Sequence, residues 1–265
     1  MGIDTEGDVT DLLEQETGGQ SDMLFLAVID PHEEAIKLIG INRNTMTEVQ
    51  ECDSDLNYLQ TVIEQITLQH AYGSGGLDSC EKTVAAVDNL MYMVPIHGYF
   101  AMNMGAISLL NDAVGGIELT ALETIKSGDI KFTEGEKVTL LGKKAYVYTK
   151  YRDWKSANSA DRRLERQKQY LQAFVKKTME MVKNDLSVPL NLYSIVGNYS
   201  VTDITVDEMT YLVSMAANYS FDADSIYSIP GETIHPEDTE YEEFWVDETG
   251  LYEMILDIFY EPVEE

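Results

Sequence analysis

Two apolar runs, DMLFLAVID at 22–30 and AIKLIGI at 35–41, are separated only by Pro31, His32, Glu33 and Glu34. Two strand-length segments around a short polar turn carry the signature of a β-hairpin. A sheet with one wet face would show alternating polar and apolar residues, but these runs are apolar at nearly every position. Their side chains must be covered on both faces, which places the hairpin inside a layered α/β domain.

The rest of the chain alternates in the same sense. The spacing predicts a helix over 57–72, a turn from Gly73 to Gly76, and a helix over 79–93 capped by Asp78 with Glu81 three residues on. A short strand is expected at 98–103, a helix at 106–114 stopped by Gly115 and Gly116, and a strand at 117–120. Helices are also expected at 142–152 and at 162–183, the latter with Leu164, Leu171, Phe174, Val175 and Val182 on roughly one face. Two more follow at 206–218, after Thr205, and at 248–259, after Asp247. No internal repeat or low-complexity linker divides the 265 residues, so 1–265 reads as a single domain.

Charge narrows the choice of partners. The formal net charge is −29, and no lysine or arginine follows Lys183, so the last 82 residues carry acid without base. Such a chain argues against nucleic acid as a ligand, and any anionic ligand needs a local cationic site. Of the five arginines, Arg152, Arg162, Arg163 and Arg166 fall within fifteen residues, while Arg43 follows a strand-like run upstream. The guanidinium fork matches phosphate or carboxylate bidentately. Arg163 and Arg166 are expected together on the first turn of the 162–183 helix, an end where the helix dipole favours anions and disfavours cations. A diphosphate there would meet backbone N–H groups and guanidinium groups at once. The alternative is an ion-pair network in which Arg162 and Arg166 join Asp161, Glu165 or the acidic C-terminal region.

Asp4 and Asp22 each stand near the start of an apolar run. Converging at one sheet edge they would form a hard-oxygen site for Mg2+ (or Mn2+), completed by water and substrate phosphate; the alternative is a turn or cap role for each. Cys52 and Cys80 are too few to define a disulfide framework, which leaves one bridge or two thiols. No stretch approaches the roughly 20 apolar residues of a membrane span, and the N-terminus lacks the regions of a signal peptide. The chain as written reads as soluble, and Met1-Gly2-Ile3-Asp4 enters ordered-looking sequence at once, as if an upstream segment were missing.

Residues GIDTEG, QSDMLFLAVID, LIGINRNT, QHAYGSGG, YFAMNMGAISLLNDAVGGIEL, YVYTKYR and RRLERQKQYL follow one another in this chain. Their order and spacing resemble the LytR-CpsA-Psr family, over nearly the whole length. The resemblance implies an α/β/α sandwich in which a central mixed sheet flanked by helices encloses an apolar pocket for a polyprenyl chain. It implies a bacterial cell-envelope phosphotransferase that moves an anionic glycopolymer, of the wall teichoic acid or capsular polysaccharide type, from a polyprenyl-diphosphate carrier to peptidoglycan. The bond broken would be the one between sugar phosphate and lipid phosphate.

Carried over by position, the resemblance makes Asp4 and Asp22 metal-associated aspartates. It makes Arg43, Lys150, Arg152, Arg163, Arg166 and Gln167 the residues that hold the diphosphate. Catalysis would fall to Arg43, Arg152 and Arg166, with Asp22 as a candidate base, while Arg162 has no counterpart and is expected to face solvent or Asp161. The resemblance also implies a protein tethered outside the cytoplasmic membrane by an N-terminal helix that this chain lacks, and an exported location favours a Cys52 to Cys80 bridge.

The chain departs from the family pattern in places. Asn44 stands where the family has aspartate, Lys150 replaces the first arginine of an Arg-x-Arg pair and loses its bidentate geometry, and Asp161 sits at a different offset from the acid that precedes the helix arginines. Hydrolysis of the lipid-linked diphosphate, or non-catalytic binding of an anionic lipid or polymer, are the alternative readings. Met91, Met93, Phe100, Met102, Met104, Leu109 and Leu110 are candidates for the lipid pocket, the alternative being an ordinary core.

Overall fold

The computed structural model describes residues 1–7, 19–53, 55–153, 156–237, 239 and 241–261. Its first element, β1 (Gly2–Ile3), leads to β2 (Ser21–Asp30) and β3 (Ala35–Ile41), which form the expected hairpin in a register running from Leu24 opposite Ile41 to Asp30 opposite Ala35. Then come β4 (Met46–Cys52), β5 (Tyr58–Gln65), α1 (Thr67–Ala71), α2 (Gly76–Leu90), β6 (Phe100–Asn103), α3 (Ile107–Ala113) and β7 (Ile117–Thr120). The middle of the chain forms β8 (Ile125–Ser127), β9 (Ile130–Phe132), β10 (Lys137–Leu140), α4 (Lys143–Lys150), α5 (Ser159–Val182) and α6 (Val188–Val196). It ends with β11 (Ser200–Thr202), α7 (Val206–Ala216), β12 (Ile226–Ser228), β13 (Gly231–Ile234), β14 (Glu243–Val246) and α8 (Glu248–Phe259).

The central sheet has the order β11-β6-β1-β2-β3-β12 and is mixed. β1 pairs parallel with β6, and β3 pairs parallel with β12, while the other neighbours are antiparallel. Because side chains alternate across a strand, Leu24, Ile39 and Ile41 point to one face, where they pack with Ala86, Val87 and Met91 around α2 and with Leu251, Ile255 and Ile258 of α8. The opposite face of β3 meets α5: a Cβ added at Gly40 would lie 3.3 Å from Leu164 and 3.2 Å from the Phe25 ring. β3 is thus covered on both sides as its sequence requires, with each buried aliphatic side chain contributing about 1.5–3 kcal/mol. β2 keeps this character only in its first half, and its C-terminal half is partly exposed.

A second core joins Met104, Ile107, Val114, Ile117, Ile125, Phe132, Leu140, Tyr148 and Tyr170, tying α3, α4 and α5 to the small ribbons β7–β10 and β8–β9. The turn that stops α3 needs two consecutive left-handed residues, Gly115 at φ 78° and Gly116 at φ 79°, a conformation that glycine adopts without a Cβ clash.

The helix expected over 57–72 is not formed. Residues 58–65 instead pair with β4, from Met46 opposite Gln65 to Cys52 opposite Tyr58. The apolar spacing fits a helix, but Thr61, Val62 and Ile63 are a β-branched run, and the neighbouring strand supplies a ladder of backbone partners. Only 67–71 is helical in that stretch. α2 begins three residues earlier than expected, at Gly76, and Asp78 reaches back to the Ser74 N–H at 2.8 Å from within the first turn. α7 keeps the expected cap: Thr205 accepts the Glu208 N–H and the Glu208 side chain returns to the Thr205 N–H.

Candidate functional site

Two loops, a strand and one helix converge where β2 starts and β3 ends. Arg43 lies just after β3, Asp22 near the start of β2, Arg152 after α4, and Arg163 in the second turn of α5. Asp22 is 6% exposed and is gripped from two sides: Arg43 Nη1 bonds one carboxylate oxygen, and Arg163 Nη1 bonds the other at 2.7 Å. Arg43 Nη2 also donates to Gln20. Burial pushes the Arg163 guanidinium down to about 10, against the pull of Asp22 and with the repulsion of Arg43 and Arg152 added. Arg43 is lowered chiefly by burial, opposed by Asp22, with Arg152 adding to the fall. Three cations are therefore held close enough to repel one another, Arg43 and Arg163 on Asp22 and Arg152 on Glu242.

The polar atoms left over point to a ligand. Among the described residues, Arg43 Nε, Arg163 Nη2, the Ser21 hydroxyl, the Thr5 hydroxyl and both amide atoms of Asn44 are buried with no hydrogen-bond partner. An unpartnered buried polar group costs about 1–3 kcal/mol, and more if charged. Two of these atoms belong to the guanidinium groups that share Asp22, and such donors are open to an anion.

The structure also separates the expected site residues by role. Arg166 is 1% exposed and spends its guanidinium on the protein itself. It donates to the carbonyls of Tyr148 and Tyr151 and pairs with Glu123 through Nε at 2.6 Å, so that its guanidinium, expected to hold a diphosphate, is turned toward the protein. It secures the turn that carries Arg152. Gln167, 2% exposed, bridges the carbonyls of Asp22 and Thr149 at 3.3 and 3.2 Å and is likewise turned inward. Lys150 Nζ donates to the Tyr146 hydroxyl at 2.6 Å and lies 3.5 Å from the Asp4 carbonyl, at the rim of the cluster. Arg162 does not meet Asp161: it bonds the Ala157 carbonyl at 2.7 Å and faces Glu123 at 3.6 Å. Asp161 accepts instead from Asn42 at 2.5 Å and from Thr233 at 2.6 Å, which makes it a clasp between β3, α5 and β13.

α5 begins at Ser159, so Arg163 and Arg166 sit in its second turn and not its first. The N–H groups at its start are already taken by the Glu242 carboxylate, from Ser159 at 3.0 Å and from Ala160 at 3.3 Å. The expectation of a diphosphate on those N–H groups is corrected accordingly. Glu242 escaped the sequence reading because it lies more than eighty residues downstream, with no motif around it.

Asp4 accepts the Gln20 N–H at 2.9 Å, and its charge reaches Arg43. Hard oxygens from Asp4, Asp22 and Thr5 suit a divalent cation in kind. Among the described residues no three His, Cys, Asp or Glu side chains gather as a metal cage, and Asp22 is already shared by two guanidinium groups.

The expected lipid-pocket set breaks up. Met91 and Met104 are fully buried in the two cores, Met93 and Leu109 are exposed, and Phe100, Met102 and Leu110 are half-buried. Register places Met102 and Met23 on either side of Gly2, on the sheet face opposite α2 and α8. There Phe100 meets Tyr193 of α6 edge-on, at 6.4 Å. Cys52 and Cys80 are both free thiols, so the expected bridge is absent; burial pushes the Cys80 thiol up to about 12.

The fold is a mixed-sheet α/β domain in which buried arginines gather where β2 starts and β3 ends. The sequence model of the LytR_cpsA_psr family matches residues 1–254, and the chain belongs to that family. A relative in Halalkalibacterium halodurans, the polyisoprenyl-teichoic acid–peptidoglycan teichoic acid transferase TagU, is 29% identical over 204 residues, covering 77% of this chain and 62% of the relative. The TagU of Bacillus anthracis is 30% identical over 206 residues, with 77% and 60% covered. The chain thus spans about three fifths of the length of these relatives. Among solved structures, B. subtilis TagV superposes with a TM-score of 0.72 at 22% identity, covering 99% of this chain and 96% of that one. TagT bound to LI-WTA superposes with a TM-score of 0.68 at 19% identity, covering 97% and 87%. The mixed central sheet with its helices is the fold these structures share.

Proposed function

We propose that this domain transfers an anionic glycopolymer from a polyprenyl-diphosphate carrier to peptidoglycan, at the outer face of a bacterial cytoplasmic membrane. The observation that carries the reading is the Arg43–Asp22–Arg163 cluster with its unpartnered N–H groups, and the names of the teichoic acid transferase relatives support it. A hydroxyl of the acceptor attacks the sugar-linked phosphorus, the bond to the bridging oxygen breaks, and polyprenyl phosphate leaves with the electron pair while the hydroxyl proton passes, directly or through water, to the departing phosphate. In this reading Arg43 and Arg163 would neutralise the charge that grows on the departing phosphate, since preorganised donors in a dry site stabilise such charge without reorganisation.

Asp22 keeps the two guanidinium groups apart and aimed. With both oxygens engaged it serves as their anchor, in place of the base expected from sequence. Mg2+ or Mn2+ entering with the diphosphate would be held by Asp4 and Asp22 and would supply further charge neutralisation. The half-buried row of Met23, Phe25, Phe100 and Met102 offers the apolar face for the prenyl chain. Among the described residues no helix is long and apolar enough to cross a membrane, so the tether in this reading lies outside them.

The test is incubation with a lipid-diphosphate oligosaccharide and a peptidoglycan oligomer in the presence of Mg2+. Transfer product that depends on the acceptor, and that falls at least 100-fold in Arg43→Ala and Arg163→Ala, is the expected result. Release of phosphate without transfer points to hydrolysis, and bound but unchanged substrate to a carrier; either outcome ends the transferase reading.

A further inference from the structure

Glu242 lies between β13 and β14, remote in sequence from every arginine, yet it is 7% exposed and fully engaged. Its carboxylate accepts Arg152 Nη2 at 2.9 Å, the Ser159 N–H at 3.0 Å, the Ala160 N–H at 3.3 Å and the Ser159 hydroxyl at 3.3 Å. Arg152 Nε donates in turn to the Ser159 hydroxyl at 2.8 Å. His235 Nε2 stands 3.7 Å from the same carboxylate. Glu242, Arg152 and Ser159 therefore close a ring across three separate parts of the chain.

A guanidinium gripped at two adjacent nitrogens cannot turn about its last torsions, so its plane is fixed relative to α5. α5 also carries Arg163, and the charge of Arg152 is felt by both Arg43 and Arg163. The helix N-terminus, a ready anion site, is filled by the protein's own carboxylate. What remains for a ligand is the set of guanidinium groups that this carboxylate helps to orient.

We infer that Glu242 is a positioning residue for the anion site: it locks Arg152 in the plane from which that side chain meets a diphosphate, and it acts through Arg152 alone. The turnover arm of its test rests on the transferase reading above, whereas the binding arm rests only on the geometry of the arginines.

The experiment is a double-mutant cycle with Glu242→Gln and Arg152→Ala, read in kcat and KM with the lipid-linked donor and in pyrophosphate affinity by calorimetry. Glutamine keeps an oxygen for the Ser159 N–H but gives up the charged oxygen that Arg152 and the Ala160 N–H share. E242Q is expected to lower kcat at least tenfold with KM changed less than threefold. It should weaken pyrophosphate at least fivefold when Arg152 is present and less than twofold when it is absent. Ser159→Ala, which loses the hydroxyl on Arg152 Nε and keeps the N–H, should show the same dependence on Arg152 and stands in if E242Q does not fold. Equal effects in both Arg152 backgrounds, or unchanged pyrophosphate binding in E242Q, overturn the inference. A wild-type protein that turns over no donor overturns the transferase reading instead, and the pyrophosphate cycle still decides the role of Glu242.

Discussion

Replacing Asp22 with asparagine should expose how the site stores its electrostatic tension. One carboxylate, 6% exposed, holds Arg43 and Arg163 together. Breaking a buried ion pair by removing one partner costs about 3–5 kcal/mol, because the remaining charge is left uncompensated. Asparagine retains one acceptor oxygen, so the lower half of that range is expected, about 3–4 kcal/mol. In a chain of this size each kcal/mol moves Tm by about 2–4 °C, which puts the loss at about 6–16 °C. Pyrophosphate supplies the missing negative charge. A ligand at 100 times its Kd adds about 2.7 kcal/mol to any protein it binds only when folded, and in D22N it also relieves the repulsion between the guanidinium groups. Differential scanning fluorimetry with and without pyrophosphate and Mg2+ should therefore show a larger rise in D22N than in the wild type. If D22N melts within about 2 °C of the wild type, or if pyrophosphate raises both proteins equally, the cluster is not the strained anion site described above.

Arg166→Ala should lower stability by about 3 kcal/mol in urea unfolding, since it removes a buried cation that holds two carbonyls and Glu123. Pyrophosphate affinity of the protein that remains folded should change far less than in Arg163→Ala, and an equal loss in the two variants would return Arg166 to the ligand set. The thiols give a third check. Cys52 is half-exposed and should react with a thiol reagent in the folded protein, while Cys80, 1% exposed, should react only after unfolding. A non-reducing thiol count of zero would refute the free-thiol assignment.

Much of the fold was legible because it depends on local patterns. The β2–β3 hairpin followed from two apolar runs around a polar turn, and α7 from the Thr205–Glu208 capping box. The exception at 58–65 shows where local reading stops: the helical spacing was present, but strand pairing with β4 decided the outcome through bonds that a one-dimensional pattern does not contain. The same limit appears in the site. Sequence brought Arg43, Arg152, Arg163, Asp4 and Asp22 into one proposal, and the structure joins Arg43, Asp22 and Arg163 directly while Arg152 is held by Glu242.

It could not rank those residues. Arg163 and Arg166 are three positions apart on one helix and chemically identical, yet Arg163 meets Asp22 while the Arg166 guanidinium is taken up by Tyr148, Tyr151 and Glu123. Which arginine serves a ligand and which serves the fold depends on the carbonyls and carboxylates that tertiary packing delivers. Glu242 makes the point most sharply, since nothing near it in the chain marks it. The sequence by itself determined a layered α/β domain with a local excess of guanidinium charge. Only the tertiary structure decided which of those charges are already neutralised, because an ion pair is set by distances of a few ångströms between residues as far as 141 positions apart.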